Sequence, residues 1–290
     1  MEVVRLANAL GAEVRGLDLS QPLSESAVRE LRAHWLEHLV LRFRDQSLTP
    51  EAFIAFSRRF GELERHDGYA PELRHPAHPE LLQVTATEVG GRRVVFGQQW
   101  HSDLSYTLRP ALGSCLYCVA LPEVGGDTLF ANMIMAYERL SPVMRRIVDR
   151  LEAVHDLANG RSHRDDTPEQ LAALRRRHPP VIQQLVRVHP ETGRRALYLS
   201  EWMVRGIVGL TDDEGAGLVR FLCEESVREE LTFRQTWRVG DVVLWDNRAT
   251  VHMALADYPP DQQRLLLRTS LVGEPHGRPL QAAFEGSDRS

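Results

Sequence analysis

The 290-residue chain has only three cysteines, Cys115, Cys118 and Cys223. So sparse and odd a set excludes a disulfide framework and fits a reducing compartment. The chain also lacks any run of 18 apolar residues, so no segment reads as a membrane span. Positive charge is not in excess: 35 Lys and Arg against 40 Asp and Glu leave a net charge of −5 and a pI near 6.2. That balance excludes a nucleic-acid binder relying on phosphate neutralisation and a polybasic membrane anchor. There is no fixed-period repeat and no low-complexity tract. Met1-Glu2-Val3-Val4-Arg5 carries charge where a signal peptide would begin its apolar core, so a cytoplasmic location is expected. What remains is the ordinary mixture of a globular protein, 43% apolar and 26% charged.

The N-terminal portion alternates short strands with helices. Val3 to Ala7 and Ala12 to Leu17 read as strands, and Ser24 caps a helix running to His38. Leu39 to Phe43 reads as another strand. Thr49-Pro50-Glu51 opens a second helix with Phe53, Phe56 and Phe60 as its buried stripe and Gly61 at its end. From about residue 81 the pattern becomes a series of short strands: 81–85, 113–120, 127–132, 151–157, 181–188, 196–199, 231–237, 241–245 and 264–272. Thr211-Asp212-Asp213-Glu214 is a capping box for one late helix. These strands do not alternate with helices, which disfavours a doubly wound parallel sheet. The expected fold is mainly β with flanking helices, a sandwich or jelly-roll barrel in a helical jacket. A single domain over 1–290 is expected, with the polar stretch 159–180 as a lid or rim.

Within this frame, Trp100-His101-Ser102-Asp103 is the first chemical candidate. On a strand, positions i and i+2 point the same way, so His101 and Asp103 would present a nitrogen and a carboxylate together, two-thirds of a facial metal triad. The third ligand would be a distant histidine, and His252 stands 149 residues beyond Asp103. Arg264 and Arg268 flank Leu266 on one strand face, costly in a core unless each meets an anion. Thr128 follows the Gly125-Gly126-Asp127 turn at a strand start. Other features carry less. Cys115 and Cys118 are three apart on a strand and face opposite ways, which argues against zinc. His163-Arg164-Asp165 mimics a kinase triplet without a nucleotide loop, and Arg175-Arg176-Arg177 reads as a solvated helix end.

Together these motifs, with Trp245-Asp246-Asn247-Arg248, Leu41-Arg42-Phe43-Arg44-Asp45-Gln46 and Phe60-Gly61-Glu62, resemble the taurine/2,4-D dioxygenase (TauD/TfdA) family nearly end to end. The 27 residues from His101 to Thr128 match that family's spacing. The resemblance implies a double-stranded β-helix core of cupin-like type and an Fe(II)- and 2-oxoglutarate-dependent dioxygenase that also consumes O2. It implies that His101, Asp103 and His252 bind iron and act in catalysis. Thr128 and Arg264 would hold the distal carboxylate of 2-oxoglutarate, and Arg268 would face an anionic group of the substrate or the inner carboxylate of the cosubstrate. His66, Tyr69, Gln98, Gln99 and Tyr106 fall on pocket-lining segments. Taurine-specific members carry an asparagine where this chain has Gly97 and Gln98.

The expected reaction is hydroxylation of a small anionic organic substrate (a sulfonate, sulfate ester or aryloxyalkanoate), coupled to decarboxylation of 2-oxoglutarate to succinate and CO2. An amino acid or biosynthetic intermediate as substrate is the alternative within enzymes. A non-catalytic cupin-like metal or ligand binder is the alternative from another class. The expected partners are the small substrate and like subunits in a homo-oligomer, with no nucleic acid and no membrane.

Overall fold

A computed structural model describes residues 1–89, 92–95, 97–160, 163–200 and 202–280. The last ten residues of the expected domain, and residues 161 and 162 of the 159–180 stretch, lie outside them. Its strands are β1 (Glu2–Arg5), β2 (Ala12–Arg15), β3 (Val40–Phe43), β4 (Leu82–Thr85), β5 (Thr87–Val89), β6 (Arg92–Val94), β7 (Gly113–Ala120), β8 (Thr128–Asn132) and β9 (Glu152–His155). They continue as β10 (Val181–Gln184), β11 (Val186–Val188), β12 (Arg195–Leu197), β13 (Val204–Ile207), β14 (Thr232–Gln235), β15 (Val242–Asp246), β16 (Thr250–Ala254), β17 (Leu265–Leu271) and β18 (Arg278–Pro279). The helices are α1 (Glu25–His38), α2 (Pro50–Arg58), α3 (Met133–Arg139), α4 (Pro142–Val148), α5 (Pro168–Arg177) and α6 (Asp212–Ser226).

Local signals explain most boundaries. The Ser24 hydroxyl accepts from Ala27 N–H to start α1, and Thr49 does the same for Ala52 at α2. Thr211 and Glu214 bond reciprocally at the start of α6. The stretch expected as one strand over 181–188 is instead two. Leu185 leaves the ladder to bond Leu151 and Tyr198, so β10 pairs with β9 while β11 pairs with β12. Helix α2 ends at Arg58, ahead of Gly61.

Seven strands form a large sheet in the order β1-β2-β3-β15-β7-β17-β4. A second, three-stranded sheet runs β14-β8-β16, and a four-stranded one runs β13-β9-β10-β18. On β7 the alternation of side chains divides the protein into two cores. Leu116 and Cys118 face inward with Leu266, Phe130 and Trp245, whereas Cys115 and Tyr117 face α1 and α2 with Trp35, Phe53 and Phe56. The two cysteines thus point to opposite faces, and burial raises both thiols. The inner core also takes side chains from the β14-β8-β16 sheet and from α3 and α6, whereas α1 and α2 cover the outer face of the large sheet. This is the jelly-roll architecture expected from the strand pattern. Among the described residues no helix is long and apolar enough to cross a membrane.

Candidate active site

Two remote segments meet at an isolated antiparallel bridge between His101 and His252. Each backbone N–H donates to the other's carbonyl, at 3.0 and 2.8 Å. Directly opposed residues of such a bridge project to the same side, and the two imidazoles lie 4.2 Å apart between ring centres. Beyond the bridge the chain does not continue as a strand. Residues 103–106 form a turn, with Leu104 at φ 56°, and this turn, rather than strand periodicity, brings Asp103 back. Asp103 Oδ1 lies 3.7 Å from His101 Nε2 and 3.9 Å from His252 Nε2. All three donor atoms fall within 4.8 Å of one another, as a shared metal ion requires.

The surroundings prepare these atoms for a cation. His101 Nδ1 sits 2.7 Å from the Gln99 carbonyl, which only accepts, so Nδ1 donates there and Nε2 is the atom turned to Asp103. Burial, reinforced by His101, pushes His252 down to about 3, so its ring is neutral at physiological pH. Burial pulls the Asp103 carboxyl up, but Arg268, His252 and His101 outweigh it and hold the group well below the usual carboxylate range. Its second oxygen is anchored: Ser114 Oγ donates to Oδ2 at 2.6 Å, and Asn247 Nδ2 donates to Ser114 Oγ at 3.0 Å. Asn247 Oδ1 in turn accepts from Trp245 Nε1 at 2.9 Å and from the Asp103 N–H at 3.3 Å. The Trp245-Asp246-Asn247-Arg248 motif therefore aims Asp103. Its two charged members form a separate buried brace, in which Arg248 grips Asp246 and Glu191 while His189 bonds Asp246.

A second cradle lies next to this one. Thr128 on β8 is paired with Ala254, two residues past His252 on β16. Arg264, 3% exposed, enters from the start of β17, its Nε donating to Gly126 O at 2.8 Å and Nη2 reaching Thr128 Oγ1 at 3.4 Å. Trp237 Nε1 also donates to Thr128 Oγ1, at 3.0 Å. Both close partners of the guanidinium are neutral oxygens, and burial pulls its pKa down. A buried cation in that state is a receptor for an anion. The glycine turn is required by contact: a Cβ on Gly126, already at φ 76°, would lie 3.0 Å from Arg264 Cδ.

The expected substrate residues converge unevenly. His66 is buried against Tyr69, ring centres 5.3 Å apart and edge-to-face. Burial, then the nearby Arg268 charge, pushes His66 down to about 4. Tyr106 is raised by burial and by Tyr69, and it senses Arg268 and Asp103 as well. Arg268 Nη1 donates to Asp103 Oδ1 at 3.2 Å, so this arginine faces the donor cluster directly. Gln99 acts through its carbonyl, and Gln98 is exposed and bonds Val95 O. At Gly97 (φ 78°) a Cβ would meet His101 Cε1 at 3.2 Å, so this backbone runs against the ligand ring with no room for a side chain. The supporting side chains Ser114, Asn247 and Trp237 received no role from the sequence. The one available signal is that Ser114 is a polar residue inside an otherwise apolar inward face.

The family model for taurine catabolism dioxygenase TauD, TfdA family matches residues 2–270. The chain belongs to this family. It is an oxidoreductase, a 2-oxoglutarate-dependent dioxygenase. An alkylsulfatase from Acinetobacter baylyi is 33% identical over 94% of this chain and 86% of its own length. A 2,4-dichlorophenoxyacetate dioxygenase from Cupriavidus pinatubonensis is 35% identical over 83% and 87%. A taurine dioxygenase structure from Burkholderia xenovorans superposes with a TM-score of 0.82 at 36% identity, covering 97% and 95% of the two chains. A structure of AAD-2 with Mn(II) and N-oxalylglycine superposes at 0.81 with 30% identity, covering 95% and 98%.

Proposed function

We propose that this dioxygenase hydroxylates a small organic anion of the sulfate ester, sulfonate or aryloxyalkanoate type, with His101, Asp103 and His252 as the iron ligands. The observation carrying this is the convergence of two imidazole nitrogens and one braced carboxylate around a point faced by Arg268. Bound there, Fe(II) with 2-oxoglutarate supplies O2-dependent oxidation of a C–H bond, with release of succinate and CO2. Thr128 and Arg264 hold the distal carboxylate of 2-oxoglutarate, since the hydrogen bonds of the guanidinium there go to neutral oxygens. Arg268 holds the substrate anion, and His66, Tyr69 and Tyr106 line that end. His66 stays neutral and does not compete with Arg268 for the anion's charge.

Names among the relatives, an alkylsulfatase and a 2,4-dichlorophenoxyacetate dioxygenase, support an anion carried on an ether or ester oxygen. Hydroxylation of the carbon next to that oxygen gives a product that collapses by breaking the C–O bond. We read the 159–180 stretch as a rim over the pocket. Its helix α5 is followed by the C-cap His178, whose ring meets Tyr106 edge-to-face at 5.9 Å, and Arg175 ties the helix to buried Asp156 at 2.8 Å.

Succinate release across a panel of alkyl sulfates, sulfonates, aryloxyalkanoates and amino acids tests the proposal. Turnover with an oxygen-linked anion is expected, yielding sulfate and an aldehyde from a primary alkyl sulfate, or a phenol and a 2-oxo acid from an aryloxyalkanoate. Turnover with amino acids alone would transfer the assignment to the alternative substrate class. The homo-oligomer expectation is checked by the molar mass in solution.

A further inference from the structure

Outside the catalytic cradle, one other cluster of metal-ligating side chains occurs among the described residues: His34, Glu37 and His38 in the last turn of α1. Positions i, i+3 and i+4 of a helix share one face. The two imidazoles are nearly parallel, 10° apart in plane with centres 6.0 Å apart. Glu37 Oε2 lies 3.9 Å from His38 Nε2, and one donor atom from each of the three residues falls within 4.8 Å of the others.

We propose that this turn is a second metal site, selective for Zn(II)-like divalent transition ions. Two nitrogens and one carboxylate oxygen suit that class and leave further positions for water. Two independent observations point the same way. His34 Nδ1 is buried without a hydrogen-bond partner. The site also lies at the C-terminal end of a 14-residue helix, where the carbonyl dipoles favour a cation. Glu37 is exposed, so an ion enters from solvent. Arg5 is the opposing charge near His38, and its guanidinium is turned to the Asn8 carbonyl.

The location gives the ion a structural task. Immediately after His38 the chain reverses through Leu39 at φ 63°, whose N–H bonds Trp35 O and whose carbonyl accepts from Asp246 N–H at 2.9 Å. An ion bridging residues 34 and 38 fixes the turn that abuts the strand end carrying Asn247.

Zn(II) alone, titrated calorimetrically into the full chain, is the probe. Two equivalents are expected for the parent protein and one for His34→Ala. In the His101→Ala background, one equivalent should remain and should raise the thermal midpoint. Adding His34→Ala there should abolish both effects, and adding Glu37→Gln should weaken binding by about tenfold. Because His38 is buried, the half-buried His34 and exposed Glu37 carry the test. The proposal is overturned if His34→Ala leaves the stoichiometry and the midpoint shift unchanged. A loss confined to His101→Ala would instead bear on the catalytic cradle alone.

Discussion

Arg264 and Ser114 show how single side chains divide the work. Arg264 is a buried charge with neutral partners, so its removal is felt where an anion binds. Losing a buried Arg–carboxylate interaction costs about 2–5 kcal/mol. Arg264→Ala is therefore expected to raise the KM for 2-oxoglutarate by at least about 30-fold while leaving the substrate KM nearly unchanged; equal changes in both would remove the assignment. Ser114 acts through Asp103, holding Oδ2 while Oδ1 is the oxygen nearest the two imidazoles. Ser114→Ala should weaken Fe(II) affinity by about 10–100-fold, the usual effect of losing such a partner. The proposed metal ligands were legible in the sequence only as a set: His-x-Asp and a remote histidine are each common by chance, and it is the ordered series of motifs, with its resemblance to the family, that singled them out. Ser114 and Asn247 were not, because their roles come from register: β7 and β15 pair so that Ser114 lies opposite Trp245.

At the scale of elements, strands and capped helices were readable where local chemistry sets them. The ends of α1 and β7 follow their caps and alternation within a residue. Asp103 was expected on a strand and lies on a turn, since a non-glycine residue at positive φ carries no sequence mark. Likewise β13 and the helices α3 and α4 escaped notice, although Ser141-Pro142 is a legitimate helix start whose hydroxyl accepts from Met144 N–H. Helix α5 bears on function through its C-cap, His178. His178→Ala is expected to raise the substrate KM several-fold with little change in the KM for 2-oxoglutarate, because its contact is with Tyr106 and not with the Arg264 cradle. A change confined to 2-oxoglutarate would place this helix elsewhere in the cycle.

For the molecule as a whole, buried neutral histidines set the response to acid. Burial is the main cause of the low values of His66 and His276, about 4, and of His155, about 3. Each titrates near 6.5 when unfolded, so below that pH the unfolded chain binds more protons and stability falls. Each contributes up to about 1.4 kcal/mol per pH unit until its folded value is reached. The thermal midpoint of the metal-free protein should decline from about pH 6.5 downward, ahead of carboxylate titration, and His155→Phe should flatten that slope. A midpoint flat down to pH 4.5 would contradict it. The fold that buries these rings also draws positions 101, 103 and 252 together, and on that convergence the catalytic account depends. Anaerobic addition of Fe(II) and 2-oxoglutarate measures it most directly. The account predicts a weak visible charge-transfer band in the parent protein that is lost in His101→Ala and in His252→Ala. No band in the parent, or a band surviving in either variant, would contradict it.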